Sequence, residues 1–377
     1  MKKTTRKRER SLQTPLTIIV DGEKEETTPS LPDDIIVDIL LMLPVKSIIR
    51  FRCVCKNWRN WLSRDPSFIK RHLKNSIESG TFNCFSISRH QEFNILRGKS
   101  SSLTALQDDC FESINLLDFP LKSQLVKDPD ILFDIHGSCN GLILMRSRTR
   151  RSRPRDINLC LWNPTTKEIK EIELDSEVKY GPACSQVLQV KQSKVTYGLG
   201  YDCETDDYKI VKANAFYDYD SNAQGVYCGS EVQVYTLGSD SWKTLPNIVP
   251  YKIVDSSTRA SVNGALYWIA TRCHSDTVQK SNLILSFDIK GENFREVPLP
   301  SQVIELFGFN SPVRRTTLSV LGGCLCVVFL GRNDTEVWVM KDHKVRESWT
   351  KLFVVQIAVK LIPIVVPYDI PMRTQEW

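Results

Sequence analysis

The chain has 377 residues, of which 41% are hydrophobic and 25% are charged, and its net charge is +6. These values exclude a mainly disordered or fibrous protein and predict a small module joined to one larger domain. The twelve cysteines belong to a long chain that opens with MKKTTRKRER instead of an apolar signal segment. We therefore expect reduced thiols and a cytoplasmic or nuclear protein.

Residues 1–28 combine basic residues, threonine and a short acidic run without periodicity, which indicates a disordered basic tail. Its first residues are open to two interpretations, a nuclear import signal or a solvated tail. At the other end of the chain, the apolar stretch 352–366 is interrupted by polar residues and proline and is too short to span a bilayer, so no membrane association is expected.

Helical spacing of apolar residues predicts three short helices within 31–73. Pro32 and Asp33 begin the first, and isoleucine and leucine then recur three and four residues apart. Pro44 separates this helix from a second at about 45–52, and a third at about 54–63 ends before Pro66. Three helices in about 40 residues bury too little apolar area to be stable alone, which implies a partner protein.

After residue 80, short runs of Val, Ile, Leu, Tyr and Phe are separated by turn residues, which predicts an all-β domain. Four segments share one plan: a glycine turn, a strand, a second strand with an aromatic residue, a polar turn and a closing strand. They cover 138–172, 197–246, 261–300 and 321–353, with the aromatics Trp162, Tyr235, Phe287 and Trp338. Antiparallel repeats of about 50 residues are typical of kelch-like propeller blades.

The helical region resembles a plant-type F-box through Leu31-Pro32, LPVKS at 43–47 and VCKNW at 54–58. The β region resembles the plant F-box-associated interaction domain through five motifs. These are CNGL at 139–142, LWNPT at 161–165, GYD at 200–202 with DDYKIV at 206–211, VNGALYW at 262–268, and FD at 287–288.

The resemblance predicts a multidomain α plus all-β chain, in which a three-helix F-box precedes an antiparallel, β-propeller-like domain. The boundaries are a tail at 1–28, the F-box at 29–75, a connecting segment with the first strands at 76–130, and the β domain at 131–377. Members of this family often continue into a further strand-rich unit after the segment that matches 349–353. The end of this chain, LIPIVVPYDIPMRTQEW, therefore leaves open whether the propeller is complete.

The resemblance implies a substrate receptor of a Skp–cullin–F-box ubiquitin ligase. The F-box would bind a Skp-family adaptor, and through it a cullin, while the β domain would bind an unknown target protein for ubiquitination. An alternative is a scaffold or decoy that binds the adaptor without driving ubiquitination. The residues that match the adaptor-binding face are Leu31, Pro32, Ile35, Ile39, Leu43, Pro44, Ile49, Val54 and Trp58, some of which are expected to belong to the module's own core.

The sequence lacks patterns for catalysis, metal binding or cofactor binding. Its five histidines have no metal-ligand spacing, and neither a Gly-x-Ser-x-Gly elbow nor a phosphate-binding glycine loop occurs. Asp202, Asp206 and Asp207 are interpreted as turn residues. The cysteine pairs 53/55 and 324/326 are interpreted as small buried hydrophobes.

Six arginines lie within 146–155, between two predicted strands. Three interpretations stay open: a solvated loop, a surface for an acidic protein, or a nucleic-acid contact, the last disfavoured because no aromatic residues are interleaved. Arg148, Arg150, Arg151 and Arg153 are the candidate target-binding residues. Loops at 217–229 and 271–281 are further candidates, because binding residues concentrate on long loops.

Overall fold

A computed structural model describes most of the chain from residue 31 to residue 355. The described residues are 31–78, 81–87, 93–99, 111–113, 131–149, 158–164, 166–174, 194–219, 225–253, 259–272, 282–307, 315–330 and 335–355. The predicted basic tail and the end of the chain after residue 355, where completeness of the propeller was left open, lie outside these ranges.

Four helices form the N-terminal module: α1 (Asp33–Leu41), α2 (Val45–Phe51), α3 (Lys56–Arg64) and α4 (Pro66–Glu78). The spacing predicts the first three, and the fourth is an addition. Pro66 ends α3 and also begins α4, because proline is tolerated at the first helical position. Asp65 supports this start, since its Oδ1 accepts a hydrogen bond from the Ser67 amide (2.9 Å).

The fourth helix completes the core of the module. Phe68 of α4 packs with four buried side chains from the other helices, namely Leu40, Leu41, Ile48 and Leu62. The His72 ring on the same helix lies with Nε2 2.8 Å from the Leu43 carbonyl oxygen, which ties α4 to the end of α1. No helix in the described ranges is long and apolar enough to cross a membrane.

Antiparallel sheets follow the helices, and the last four are the blades of a propeller. The first sheet contains β1 (Thr81–Ile87), β2 (Phe93–Lys99) and β3 (Phe111–Ser113). Blade 1 contains β4 (Ile131–Cys139), β5 (Leu142–Thr149), β6 (Asn158–Trp162) and β7 (Ile169–Ile172). Blade 2 contains β8 (Lys194–Asp202), β9 (Asp207–Tyr219), β10 (Gly225–Thr236) and β11 (Ser241–Thr244).

Blade 3 contains β12 (Tyr251–Ile253), β13 (Arg259–Val262), β14 (Ala265–Arg272), β15 (Asn282–Asp288) and β16 (Asn293–Glu296). Helix α5 (Ser301–Phe307) connects it to blade 4, which contains β17 (Arg315–Leu321), β18 (Cys324–Leu330), β19 (Thr335–Met340) and β20 (Trp349–Val355). A short 3-10 turn, Arg346–Ser348, precedes β20. The predicted fold class is confirmed, with four blades at the four predicted repeats.

In three of the four repeats a glycine lies in a hairpin turn, which is β4–β5 in blade 1, β13–β14 in blade 3 and β17–β18 in blade 4. The glycines at the start of the second repeat lie within strand β8 instead. Asn140 and Gly141 both have positive φ (47° and 84°), as do Asn263 and Gly264 (53° and 69°). Positive φ at both central residues defines the type I′ turn, which matches the twist of antiparallel strands and favours Asn-Gly. The motifs CNGL and VNGALYW therefore mark hairpins, and the first strand of a blade precedes the glycine.

The blades pack face to face through separate hydrophobic cores. Because side chains alternate across a strand, β9 contributes Ile210 to the core shared with blade 1 and Val211 to the core shared with blade 3. The core between blades 3 and 4 contains Tyr267, Phe329 and Trp349. Each blade is thus stabilised by its neighbours.

Close approach between blades 2 and 3 explains Gly198, which lies in β8 two residues before the GYD motif. A Cβ at Gly198 would lie 2.5 Å from Cζ2 of the buried Trp268. We expect Gly198→Ala to lower the free energy of unfolding by about 1–3 kcal/mol, because the added methyl overpacks a rigid interface. Urea denaturation followed by tryptophan fluorescence measures this loss.

A double-mutant cycle provides the control for the Gly198 prediction. Trp268→Phe removes the ring that the new methyl would meet, so Gly198→Ala should cost less in that background than in the wild type. Strictly additive costs would show that the glycine is required for another reason.

Candidate functional site

The helical module exposes a row of large apolar side chains along α1. Leu31, Ile35, Ile39 and Met42 have exposed fractions of 55%, 47%, 43% and 74%. Residues three and four apart lie on one face of a helix, so these four form a continuous stripe. Scattered exposed hydrophobics are normal, whereas a continuous stripe of this kind marks an interaction surface.

The opposite face of α1 is committed to the core of the module. Leu40 and Leu41 are buried, and Ile36 and Val37 pack against them. The helix therefore has apolar residues on two faces, although only one face has a partner within the described ranges. The surplus of apolar surface that the sequence predicts is present on the outer face.

The α2–α3 region adds to this surface. Val54 is 59% exposed and Pro44 is exposed at the start of α2. Trp58 is half-buried, with its ring 5.7 Å from that of Phe51 and its amide donating to Cys55 Sγ (3.4 Å). Trp58 is thus held in place by the core while part of the side chain stays accessible.

The nine predicted adaptor-binding residues divide into two groups. Leu31, Pro32, Ile35, Ile39, Pro44 and Val54 are exposed, and Leu43, Ile49 and Trp58 are half-buried. Leu43 and Trp58 pack against the module's own core, in agreement with the expectation of mixed roles. Met42 was missed, although its position seven residues after Ile35 was a usable signal. Their contacts with an adaptor stay predictions.

The interpretation of the cysteine pairs is half wrong. Cys53 and Cys55 are exposed, because they lie at the turn between α2 and α3, where Cys53 Sγ donates to the Arg50 carbonyl oxygen (2.6 Å). Cys324 and Cys326 share an apolar face of blade 4, as predicted. Burial raises the pKa of the Cys326 thiol to about 12, so this thiol stays protonated at neutral pH.

The helical module contacts the turns of the propeller at one end. Lys70 of α4 forms an ion pair with Asp206 in the β8–β9 turn (3.4 Å). Half-buried Arg52 faces Glu168 in the β6–β7 turn: burial lowers the pKa of the Arg52 guanidinium, and attraction to Glu168 opposes this shift. Both turns leave the same end of their blades, because antiparallel strands alternate in direction.

The opposite end of the propeller contains the ends of the second strands and the starts of the third strands. Arg148 lies near the end of β5 and is thereby placed at this far end. Arg150, Arg151 and Arg153 lie outside the described residues, as does most of the predicted 271–281 loop. The interpretation of the arginine run therefore stays a prediction. The predicted 217–229 loop is largely wrong, because its described residues belong to the ends of strands β9 and β10, which extend as a hairpin.

The aspartates of the β8–β9 turn have structural partners. Asp202 accepts hydrogen bonds from the Glu204 amide (3.1 Å) and pairs with Lys209 (3.2 Å). Asp207 accepts from the Gly238 amide (3.0 Å), and Asp206 accepts from the Tyr201 hydroxyl. These contacts agree with the turn interpretation.

Lys209 joins blades 2 and 3 through a buried charge cluster. Its ammonium contacts Asp202, Glu292 (3.2 Å) and the Ile289 carbonyl oxygen (3.0 Å). Burial alone would lower the pKa of Lys209. The two carboxylates raise this pKa by more than burial lowers it, so the net shift is upward. For Asp202 and Glu292 burial raises the pKa, while hydrogen bonds and the nearby ammonium lower it to a net decrease.

Lys209 is therefore held as a cation between two carboxylates, so we assign this cluster a role in stabilising the fold. Within the described ranges, no three His, Cys, Asp or Glu side chains are grouped so as to hold a metal ion.

Comparison with known families agrees with this geometry. Residues 29–70 match the F-box domain, and residues 92–372 match the F-box associated beta propeller domain. The chain belongs to the F-box proteins that contain this propeller.

Curated relatives come from Arabidopsis thaliana. F-box protein At3g07870 is 31% identical over 85% of this chain and 72% of its own length. F-box protein CPR1 is 30% identical over 87% and 73%, and F-box/kelch-repeat protein At3g23880 is 28% identical over 86% and 79%.

Proposed function

We propose that this protein is the substrate-recognition subunit of a Skp–cullin–F-box ubiquitin ligase and acts in the cytoplasm or nucleus. The apolar stripe formed by Leu31, Ile35, Ile39 and Met42 is the single observation that supports adaptor binding most strongly. An apolar helix face that fills a groove on a partner is a recurrent recognition mode, and a few large side chains dominate such interfaces. The adaptor would link the chain to a cullin.

The propeller then holds the target near the ubiquitin-conjugating enzyme. In this role the chain contributes proximity, which raises the local concentration of the reacting groups, and needs no catalytic residue of its own. The contacts of the helical module with two propeller turns, Lys70 with Asp206 and Arg52 with Glu168, support this role, because a receptor must hold its two modules in a defined orientation.

Co-purification with a recombinant plant Skp-type adaptor tests the proposal. We expect a stable one-to-one complex in size-exclusion chromatography, because the exposed stripe is buried on binding. A wild-type chain that is folded by circular dichroism yet elutes apart from the adaptor would contradict adaptor binding and, with it, the receptor role.

A scaffold or decoy role is the second candidate, since adaptor binding alone does not imply ubiquitination. Proteins that bind the propeller in cells should accumulate when the proteasome is inhibited if the chain is a receptor. Unchanged half-lives of all bound proteins, with adaptor binding intact, would favour the scaffold.

A further inference from the structure

Strands β9 and β10 extend beyond the rest of blade 2 at the end away from the helical module. Strand β8 begins at Lys194, opposite Ala215, so among the described strands the part of β9 after Ala215 is paired with β10 alone. Tyr217 and Tyr227 lie on this extension, with ring centroids 5.8 Å apart in an edge-to-face arrangement. Both side chains are half-buried.

The neighbouring strand of blade 3 adds a cation to the two rings. Lys252 of β12 has its Nζ 5.2 Å from the centroid of Tyr217. Arg272, beside it in the sheet, is neutralised by Glu296, to which its Nε donates (2.8 Å). Within the described part of the chain, none of the ion pairs involves Lys252.

The surface is rigid and includes an apolar residue. The Tyr227 hydroxyl lies 2.8 Å from Ser230 Oγ and also donates to the Tyr251 carbonyl oxygen. Ile248, 39% exposed, lies against Gly229, whose φ of +138° and missing Cβ allow this contact. Side chains held in this way lose little conformational entropy when a partner binds.

We propose that Tyr217, Tyr227, Ile248 and Lys252 form a binding surface for an acidic segment of the target protein, with an apolar anchor on the rings and a carboxylate on Lys252. The inference rests on the proposed receptor function. Tyrosine is enriched at binding hot spots, where it offers large contact area with few rotatable bonds. Charge complementarity selects an acidic partner, because Lys252 is a cation without an ion-pair partner among the described residues.

The position of this surface is compatible with simultaneous adaptor binding. Tyr217 lies ten residues along β9 from Asp207, which follows the turn that contacts Lys70. At roughly 3.3 Å per strand residue, this places the surface about 30 Å from that contact. A target held there would leave the helical module free.

An arrayed peptide library tests the proposal, with the full-length chain in complex with its adaptor as the probe protein. One half of the library flanks Leu, Phe or Trp with Asp and Glu, and the other half flanks the same residues with Lys and Arg. We expect retention on acidic peptides, and at least tenfold weaker binding of these by Lys252→Glu in fluorescence anisotropy. Lys252→Met should give an intermediate loss.

Lys341→Glu is the matched control, because Lys341 is an exposed lysine in the β19–β20 connection of blade 4. It should bind the acidic peptides as the wild type does. Equal retention of acidic and basic peptides, or equal losses in Lys252→Glu and Lys341→Glu, would overturn the proposal. Failure to bind the adaptor would instead count against the proposed function, so the two failures are distinguishable.

Discussion

Replacing Lys209 with methionine should lower the free energy of unfolding by about 3–5 kcal/mol, which is the usual cost of leaving a buried charge without its partner. Lys209 and Asp202 have side-chain exposures of 9% and 3%, so water cannot replace the lost ion pair. The variant also loses the link to Glu292 in blade 3. Urea denaturation followed by tryptophan fluorescence measures the loss.

Lys243→Met is the matched control for Lys209→Met. Lys243 binds the same Glu292 (2.9 Å), but its side chain is 69% exposed. Exposed ion pairs contribute at most about 1 kcal/mol, so this variant should stay close to the wild type. If both substitutions lowered the free energy of unfolding equally, burial of the Lys209 ion pair would not be the cause of the loss.

The same cluster predicts acid sensitivity. The pKa values of Asp202 and Glu292 are lower in the folded state than their usual values, so both carboxylates stabilise the fold above about pH 4. This stabilisation is lost as the pH falls through the folded-state pKa values. Because the Lys209 ammonium contributes to both shifts, Lys209→Met should show a shallower loss of stability on acidification, measured by urea denaturation at several pH values.

Two substitutions on opposite faces of α1 should separate adaptor binding from folding. Ile35→Asp should weaken adaptor binding by a hundredfold or more, about 2.7 kcal/mol, by placing a charge in an apolar interface. The stability should change by less than about 0.5 kcal/mol, because Ile35 is 47% exposed and a carboxylate in the first turn is compatible with the helix dipole. Isothermal titration calorimetry and thermal denaturation measure the two effects.

Leu40→Ala provides the contrasting result. Leu40 is 1% exposed in the module's core, so its truncation should cost about 2–5 kcal/mol of stability. The fraction that remains folded should still bind the adaptor with nearly wild-type affinity. Adaptor binding that survives in Ile35→Asp would show that the exposed stripe is not the contact surface.

Much of the architecture could be predicted because the deciding signals are local. Helical spacing predicted α1 and the family resemblance indicated its outward-facing Ile35 and Ile39, but spacing alone did not separate these from Ile36 and Leu40, which pack in the core. Glycine turns predicted the hairpins of three blades. The first strand of a blade was missed in three repeats, because the search for repeats started from the glycine turn that follows it. Exposure of Cys53 and Cys55 depends on where the α2–α3 turn lies, which residue type alone does not determine.

Contacts between distant parts of the chain could not be predicted. Lys209 and Glu292 meet because blades 2 and 3 pack together, and Lys70 reaches Asp206 because α4 lies against a propeller turn. The start of α4 at Pro66 could not be predicted either, because a proline can end one helix and begin the next. The Tyr217–Lys252 surface likewise depends on how long β9 and β10 extend, which only the strand pairing shows.

The outer edges of the blades also affect solubility. Strands β7, β11 and β16 have only four residues each, so they offer few free backbone groups on which another chain could add a strand. Strand β20 is longer, but a bulge interrupts its pairing near Trp338, and Lys351 on it pairs with Glu336. Irregular pairing and charge at an edge disfavour intermolecular sheet formation, so these described edges are protected against pairing with another copy of the chain.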